Sequence, residues 1–242
     1  MNLSVIVPVF NEEKTVGSVI ESILQYNPNI HEILVVDDGS TDGTRNIVNK
    51  YSKKYKSVKS IFHKINLGKT AALITGFKKT TGNVILIQDA DLEYDPSEIH
   101  ALIEPIQEEK ADVVYGSRFL VRKTARVLYF RHFMANKFIT FLSNIFTDFN
   151  FTDVETGYKA FRSEIINNMI ITSKGFGFEI EVTAKLAKLK CRVYEVPISY
   201  YGRTYEEGKK IGLSDGLLAI YYIVKYNLFT SLKKSFYKMP EM

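Results

Sequence analysis

The sequence predicts an α/β fold, a mostly parallel central sheet with helices on both faces. Three observations carry the prediction. Five β-rich runs in the first half alternate with amphipathic stretches. Those runs are continuously apolar instead of alternating, as strands buried on both faces are. Helix-start signals sit between them.

The elements follow in order. SVIVPVF reads as the first strand and 12–25 as an amphipathic helix. EILVVDD is the second strand, with a helix over 41–54. VKSIFH precedes a helix over 69–79, and NVILIQD precedes one over 96–109. DVVYGS is the fifth strand. Ser40, Thr41 and Asp42 offer N-caps, and Asp95 followed by Pro96 puts proline at a first helical position.

The second half is less regular. Residues 126–147 read as a long helix rich in aromatics, then TDVETGYKAF as a loop. A short helix, the helix FEIEVTAKLAKL, the strand RVYEVPISY and a last helix over 213–232 complete the chain. No repeat or low-complexity linker interrupts it. We expect one continuous unit with a donor-side half (1–117) and a largely helical acceptor-side half (118–242).

Composition bounds the function. The chain has 242 residues and 45% hydrophobic content, enough for a substantial core. One cysteine, Cys191, rules out an intrachain disulfide and fits a reducing compartment. The opening MNLSVIVPVF has no basic n-region and reads as a strand, so no secretory signal is expected. No stretch reaches the ~20 apolar residues of a spanning helix; the best candidates are broken by Arg131, Lys137 and Lys225. The net charge is +5, and the stretch 113–147 contains no Asp or Glu. Such a patch attracts phosphorylated small molecules, anionic lipid or nucleic acid, unless it is only a solvated face.

Three predicted strands end in polar or acidic clusters: Asn11 with Glu12, Asp37 with Asp38, and Asp89 with Ala90 and Asp91. Ligands of open α/β sheets bind beyond the carboxyl ends of the strands. In an extended strand, Asp89 and Asp91 would share a face. Packed carboxylates need a cation or donors between them, and an oxygen-rich set suits Mg²⁺ or Mn²⁺ bridging to phosphates. Asp42 and Asp95 read as caps. There is no G-x-G-x-x-G after the first strand, and NLGKTAA holds only the tail of a P-loop, which disfavours a dehydrogenase or P-loop NTPase. Lys69, at a helix start beside Gly68, is placed to contact an anion or to serve as a plain cap.

The ordered set LSVIVPVFNEE, VVDDGSTDGT, NLGKTAAL, DADLEYDP and YGSR resembles the family 2 glycosyltransferases, whose fold is GT-A. TDVETGYKAF, GFGFEIEV and VPISYYGRTYEEGKK resemble the branch of dolichyl- and polyprenyl-phosphate mannose and glucose synthases, from about residue 3 to residue 230. The resemblance implies roles. Pro8, Phe10 and Glu12 would line the nucleotide pocket, and Asp38 would accept a hydrogen bond from the base. Asp89 and Asp91 match the D-x-D signature around Ala90 and would hold the sugar nucleotide and a divalent cation, with Glu93 standing where the mannose synthases have glutamine. Arg118, Arg203 and Lys209 would face phosphates, and Lys69 joins the donor side. Arg131 is the counterpart of the arginine for the acceptor phosphate, but the accompanying serine has no counterpart.

The implied reaction moves a hexose, with inversion, from a UDP-glucose or GDP-mannose type donor to a polyprenyl phosphate. The protein would lie peripherally on the cytoplasmic face of an anionic membrane, with a membrane-protein partner in place of the spanning tail some relatives carry. An acceptor phosphate is already anionic and needs no strong base. Asp153 and Glu155 are candidate bases or acceptor contacts, against a turn-capping role for Asp153. Glu179 and Glu181 open a helix and suit its positive end as well as they suit catalysis. The aromatic, basic helix would lie in a membrane interface, unless it is a core helix with snorkelling cations. Basic and aromatic interleaving also suits single-stranded nucleic acid, but no such motif is present and the acidic edge argues against it. Two alternatives stand: the same donor chemistry with a saccharide hydroxyl as acceptor, and a non-catalytic anion- or lipid-phosphate-binding module.

Overall fold

The computed structural model describes residues 1–120, 126–127, 129–175, 177–204, 206 and 213–240. The first half runs β1 (Leu3–Val9), α1 (Val16–Tyr26), β2 (Glu32–Asp37), α2 (Thr44–Lys54), β3 (Val58–Phe62), α3 (Lys69–Phe77) and β4 (Val84–Ile87). A 3-10 turn (Pro96–Glu98) leads into α4 (Ile99–Gln107), then β5 (Val113–Ser117). The second half is α5 (Phe130–Thr147), β6 (Lys159–Arg162), α6 (Ser163–Asn168), α7 (Phe178–Leu189), β7 (Val193–Pro197) and α8 (Leu213–Leu228).

The strands form one seven-stranded sheet in the order β3-β2-β1-β4-β6-β5-β7. Every pairing is parallel except those of β6, which is antiparallel to both β4 and β5. The sheet therefore runs without a break through both halves of the chain. The expected loop over TDVETGYKAF is corrected here, because its last residues belong to β6. Its strand character is hidden by Lys159, which is fully buried. The ammonium reaches the Val154 carbonyl at 3.2 Å and the Thr156 carbonyl, and lies 4.1 Å from the Tyr115 ring centre.

Helical spacing explains the layers. Val16, Val19, Ile20 and Ile23 place the apolar stripe of α1 on the sheet, in a core with Val5, Val7, Leu102 and Ile106. On the other face, Leu73 and Phe77 of α3 and Val182 and Leu186 of α7 pack against Ile6 and Leu34. A third cluster joins α5, α7 and α8 through Ile139, Ile180, Tyr222 and Tyr226.

Local chemistry moved some helix ends. α2 starts later than the sequence suggests because Asp42 spends one oxygen on the Thr44 amide at 3.0 Å and the other on the Glu13 amide at 3.3 Å. Asp95 does cap, accepting from the Ser97 amide at 2.9 Å. α5 starts at Phe130 and α8 ends at Leu228, each shorter than expected.

Candidate active site

The carboxyl ends of β1, β2 and β4 meet at one edge of the sheet. Asp89 and Asp91 lie beyond the end of β4, which stops at Ile87. Strand alternation therefore does not orient them, and each takes its own partner. Both Asp89 oxygens take the Lys69 ammonium, at 2.8 and 2.9 Å, and the same ammonium lies 3.8 Å from Glu179. Burial alone would lower the Lys69 pKa; the charges of Asp89 and Glu179 outweigh it and hold the group above its ordinary value. Lys69 is the first residue of α3, following Gly68, whose φ of 92° lies where glycine is at ease.

Asp91 takes Arg203 instead, Oδ2 to Nη2 at 2.9 Å. The Arg203 guanidinium also donates to Glu12 at 3.1 Å, and its Nε lies 3.5 Å from Glu93. The Arg203 amide donates to Glu93 at 2.8 Å, and the Tyr200 hydroxyl donates to the other Glu93 oxygen at 2.8 Å. Glu12, Asp91 and Glu93 are thus drawn around one guanidinium. Burial, reinforced by the charges of Asp89 and Glu93, pushes the Asp91 carboxyl up to about 7.

The oxygen donors here fit a hard divalent cation. Asp91 is the one best placed, since burial beside like charges makes it gain from a cation. Among the described residues, no three acidic, His or Cys side chains form a ready-made metal cluster. Cations of this kind commonly take one or two carboxylates and complete their shell with substrate phosphates.

The remaining residues are placed as follows. Pro8 is buried within β1, opposite Val36 of β2, and Phe10 follows the strand half-buried. Ala90 is buried in the core. Asp38, the residue expected to meet a nucleotide base, accepts the Gly68 amide at 2.6 Å, the Leu67 amide at 3.1 Å and the His63 Nδ1 at 2.6 Å, and so fastens the loop that delivers Lys69. Arg118 and Asp153 were expected to face phosphate or acceptor. They form a two-pronged pair with each other, at 2.6 and 2.7 Å, and Asp153 is fully buried. Burial alone would raise the Asp153 carboxyl, but the adjacent guanidinium holds it below its ordinary value. Arg131 is exposed on the first turn of α5. Lys209 lies outside the described residues.

Glu155 encloses an oxygen with no hydrogen-bond partner, as does Glu179. Burial, then the nearby Glu179 charge, pushes the Glu155 carboxyl up to about 8. Glu181 is anchored by the Thr172 and Ser173 amides and by Lys185, which makes it a brace between elements.

Three features were not legible. Gly157 packs so closely that a Cβ there would stand 2.6 Å from Asp89 and 3.0 Å from the Lys69 ammonium. The Lys69–Glu179 contact joins helices far apart in the chain. Tyr94 receives the Gly157 amide at 3.0 Å and stacks on Tyr158, fixing the loop that faces Asp89. The tyrosine-rich composition was the only sequence signal for the last of these.

The chain matches the family model described as glycosyl transferase family 2 over residues 4–170. It is 28% identical over 215 residues to a polyprenol monophosphomannose synthase of Mycolicibacterium smegmatis, covering 86% of this chain and 80% of that one. It is 28% identical over 222 residues to an undecaprenyl-phosphate mannosyltransferase of Micrococcus luteus, covering 88% of each. The fold is similar to that of a glucosyl-3-phosphoglycerate synthase from Mycobacterium tuberculosis in complex with Mn²⁺ and UDP-glucose, with a TM-score of 0.73 and 18% identity over 95% of this chain and 80% of that one.

Proposed function

Because this chain belongs to glycosyl transferase family 2, we propose that it moves a hexose from a nucleotide-diphosphate sugar to a polyprenyl phosphate, inverting the anomeric carbon. The observation that carries this reading is the row of carboxylates Glu12, Asp89, Asp91 and Glu93 at the sheet edge, interleaved with Lys69 and Arg203. Residues 1–117 would hold the donor and residues 118–242 the acceptor. The two curated relatives act, by their names, on polyprenyl phosphates.

Asp91, with Glu93 beside it, would hold Mg²⁺ or Mn²⁺, and Asp89 would fix the sugar nucleotide. When bound, that cation neutralises charge on the diphosphate. Arg203, carrying a full charge, would turn onto the diphosphate and stabilise the charge that develops as it leaves. An acceptor phosphate oxygen attacks the anomeric carbon from behind. The new C–O bond forms as the bond to the diphosphate breaks, and the electron pair leaves on the diphosphate. No proton need be removed. The site supports that economy, since Asp153 is occupied by Arg118 and Glu155 holds its proton at neutral pH.

A lipid acceptor requires a membrane within reach. Phe130, Met134, Phe138, Phe141 and Ile145 form one exposed stripe along α5, and Leu217, Tyr221 and Leu228 form another along α8, which packs beside it. Phe130 is 73% exposed and Leu217 71%. Exposed apolar stripes of this length are unusual on a surface facing water. With no Asp or Glu on α5 and Arg131 on its first turn, they suit an anionic bilayer surface. Among the described residues, no helix is long and apolar enough to cross a membrane. We place the protein peripherally, at the cytoplasmic face.

A second reading, a saccharide hydroxyl acceptor, draws on the buried Glu179 oxygen that has no partner and could receive a proton. Incubation with labelled UDP-glucose and GDP-mannose, Mn²⁺, and either a short-chain polyprenyl phosphate or soluble saccharides separates the two. Label in the lipid phosphate fraction is expected. Label in saccharide alone would establish the second reading.

A further inference from the structure

The guanidinium at the centre of the acidic row faces three carboxylates, and its backbone is fixed to one of them. Arg203 reaches Asp91 at 2.9 Å, Glu12 at 3.1 Å and Glu93 at 3.5 Å, and its amide is pinned to Glu93 at 2.8 Å. Its side chain is only 25% exposed, and Asp91, Glu93 and Glu12 are each less exposed still. These three carboxylates come from the ends of β1 and β4, more than 100 residues away in sequence. Without a cation among them they would repel one another in a recess poorly reached by water. A side-chain cation placed there does what an inorganic cation would do at the same point.

We propose that Arg203 is the resident cation of this site: it competes with the divalent cation for Asp91, so that the cation binds well only together with a nucleoside diphosphate. The proposal rests on the reading of Asp91 as the cation ligand. The physical argument is exclusion followed by exchange. One Asp91 oxygen is committed to Nη2, and the other accepts the Glu93 amide at 3.1 Å, so a cation arriving alone must break an ion pair to gain a ligand. A diphosphate brings new anionic oxygens to the same recess. The guanidinium can then leave Asp91 for the diphosphate without losing its ionic partners, and Asp91 is released to the cation. Binding of the two ligands is therefore coupled, and by linkage each raises the affinity of the other by the same factor. The arrangement also holds Glu12 and Glu93 in place before donor arrives, through contacts that a lone carboxylate cluster would not keep.

The test measures binding and not turnover. Free Mn²⁺ is followed by electron paramagnetic resonance as the full chain is titrated, with and without saturating UDP or GDP, for wild type, Arg203→Gln and Arg203→Lys. Thermal melts check that each variant is folded. Wild type should bind Mn²⁺ alone weakly and gain on the order of tenfold or more with nucleotide. Arg203→Gln should bind Mn²⁺ alone about tenfold more tightly than wild type and lose most of the nucleotide-dependent gain. Arg203→Lys, which keeps one charge but cannot span three carboxylates, should fall between them. A folded Arg203→Gln that binds Mn²⁺ alone no better than wild type overturns the competition while leaving the cation site standing. Absence of Mn²⁺ binding in every protein, with and without nucleotide, overturns both this proposal and the assignment of Asp91 beneath it.

Discussion

Replacing Gly157 by alanine puts one methyl group where the structure has none to spare. The new Cβ would lie 2.6 Å from the nearer Asp89 oxygen and 3.0 Å from the Lys69 ammonium. To restore ordinary contact the carboxylate must give way by about 0.8 Å. It has little freedom to do so, because both its oxygens are on Lys69 and Lys69 is in turn drawn to Glu179. The loop cannot easily retreat either, since the Gly157 amide is bonded to the buried Tyr94 hydroxyl. The strain therefore divides between stability and the position of Asp89. Overpacking of this kind costs about 1–3 kcal/mol of stability. A misplacement approaching 1 Å at a reacting centre costs about a hundredfold in rate. The assay is kcat/KM for transfer from the nucleotide sugar, with a thermal melt on the same preparation. A variant with wild-type kcat/KM and an unshifted melt would refute the reasoning, because it would show that the recess around Asp89 has slack.

Three further predictions use other parts of the molecule. Asp153→Ala leaves the Arg118 guanidinium buried without its partner and should cost about 3–5 kcal/mol, read by denaturant unfolding, whereas Arg118→Met with Asp153→Leu should recover much of that loss. Glu155, with its folded pKa raised to about 8 from 4.5, contributes stability that is complete below pH 4.5 and is lost as pH rises through 8. Wild type should therefore lose up to about 1.4 kcal/mol per pH unit in that window relative to Glu155→Gln, and parallel Tm profiles from pH 5 to 8 would count against it. The neighbouring Lys159, lowered to about 8 from 10.5 by burial, changes stability only above that window. Phe138→Ser with Phe141→Ser removes two rings from the exposed α5 stripe and should lower co-sedimentation with anionic vesicles by about tenfold or more, with the melt unchanged.

Much of this molecule could be read from residue order alone, for physical reasons. Strands buried on both faces announce themselves as apolar runs, so β1 to β5 and β7 were visible. β6 was not, because four residues containing a buried lysine and an arginine carry no such run. The acidic ends of β1, β2 and β4 were readable because topology alone gathers them at one edge. Their partners were not. Nothing local ties Arg203 to Glu12, 191 positions away, or Arg118 to Asp153, 35 positions away on the far side of α5. Asp38 shows the limit most clearly, since nothing in residue order announces its bonds to the Leu67 and Gly68 amides.

The placement of β6 has a consequence for how the protein comes into being. β4 and β5 are both synthesised early, yet they do not pair with each other, because the strand that joins them is made roughly forty residues after β5. At ~5–20 residues per second on a ribosome, that is a wait of several seconds. During it, the VILI strand offers an unpaired apolar edge, a template for adhesion to other nascent chains. The acidic edge and the helices behind it are therefore not modules that natural or laboratory recombination can exchange at residue 117. A chain cut there would keep its acidic cluster and lose the strand that closes the sheet around it.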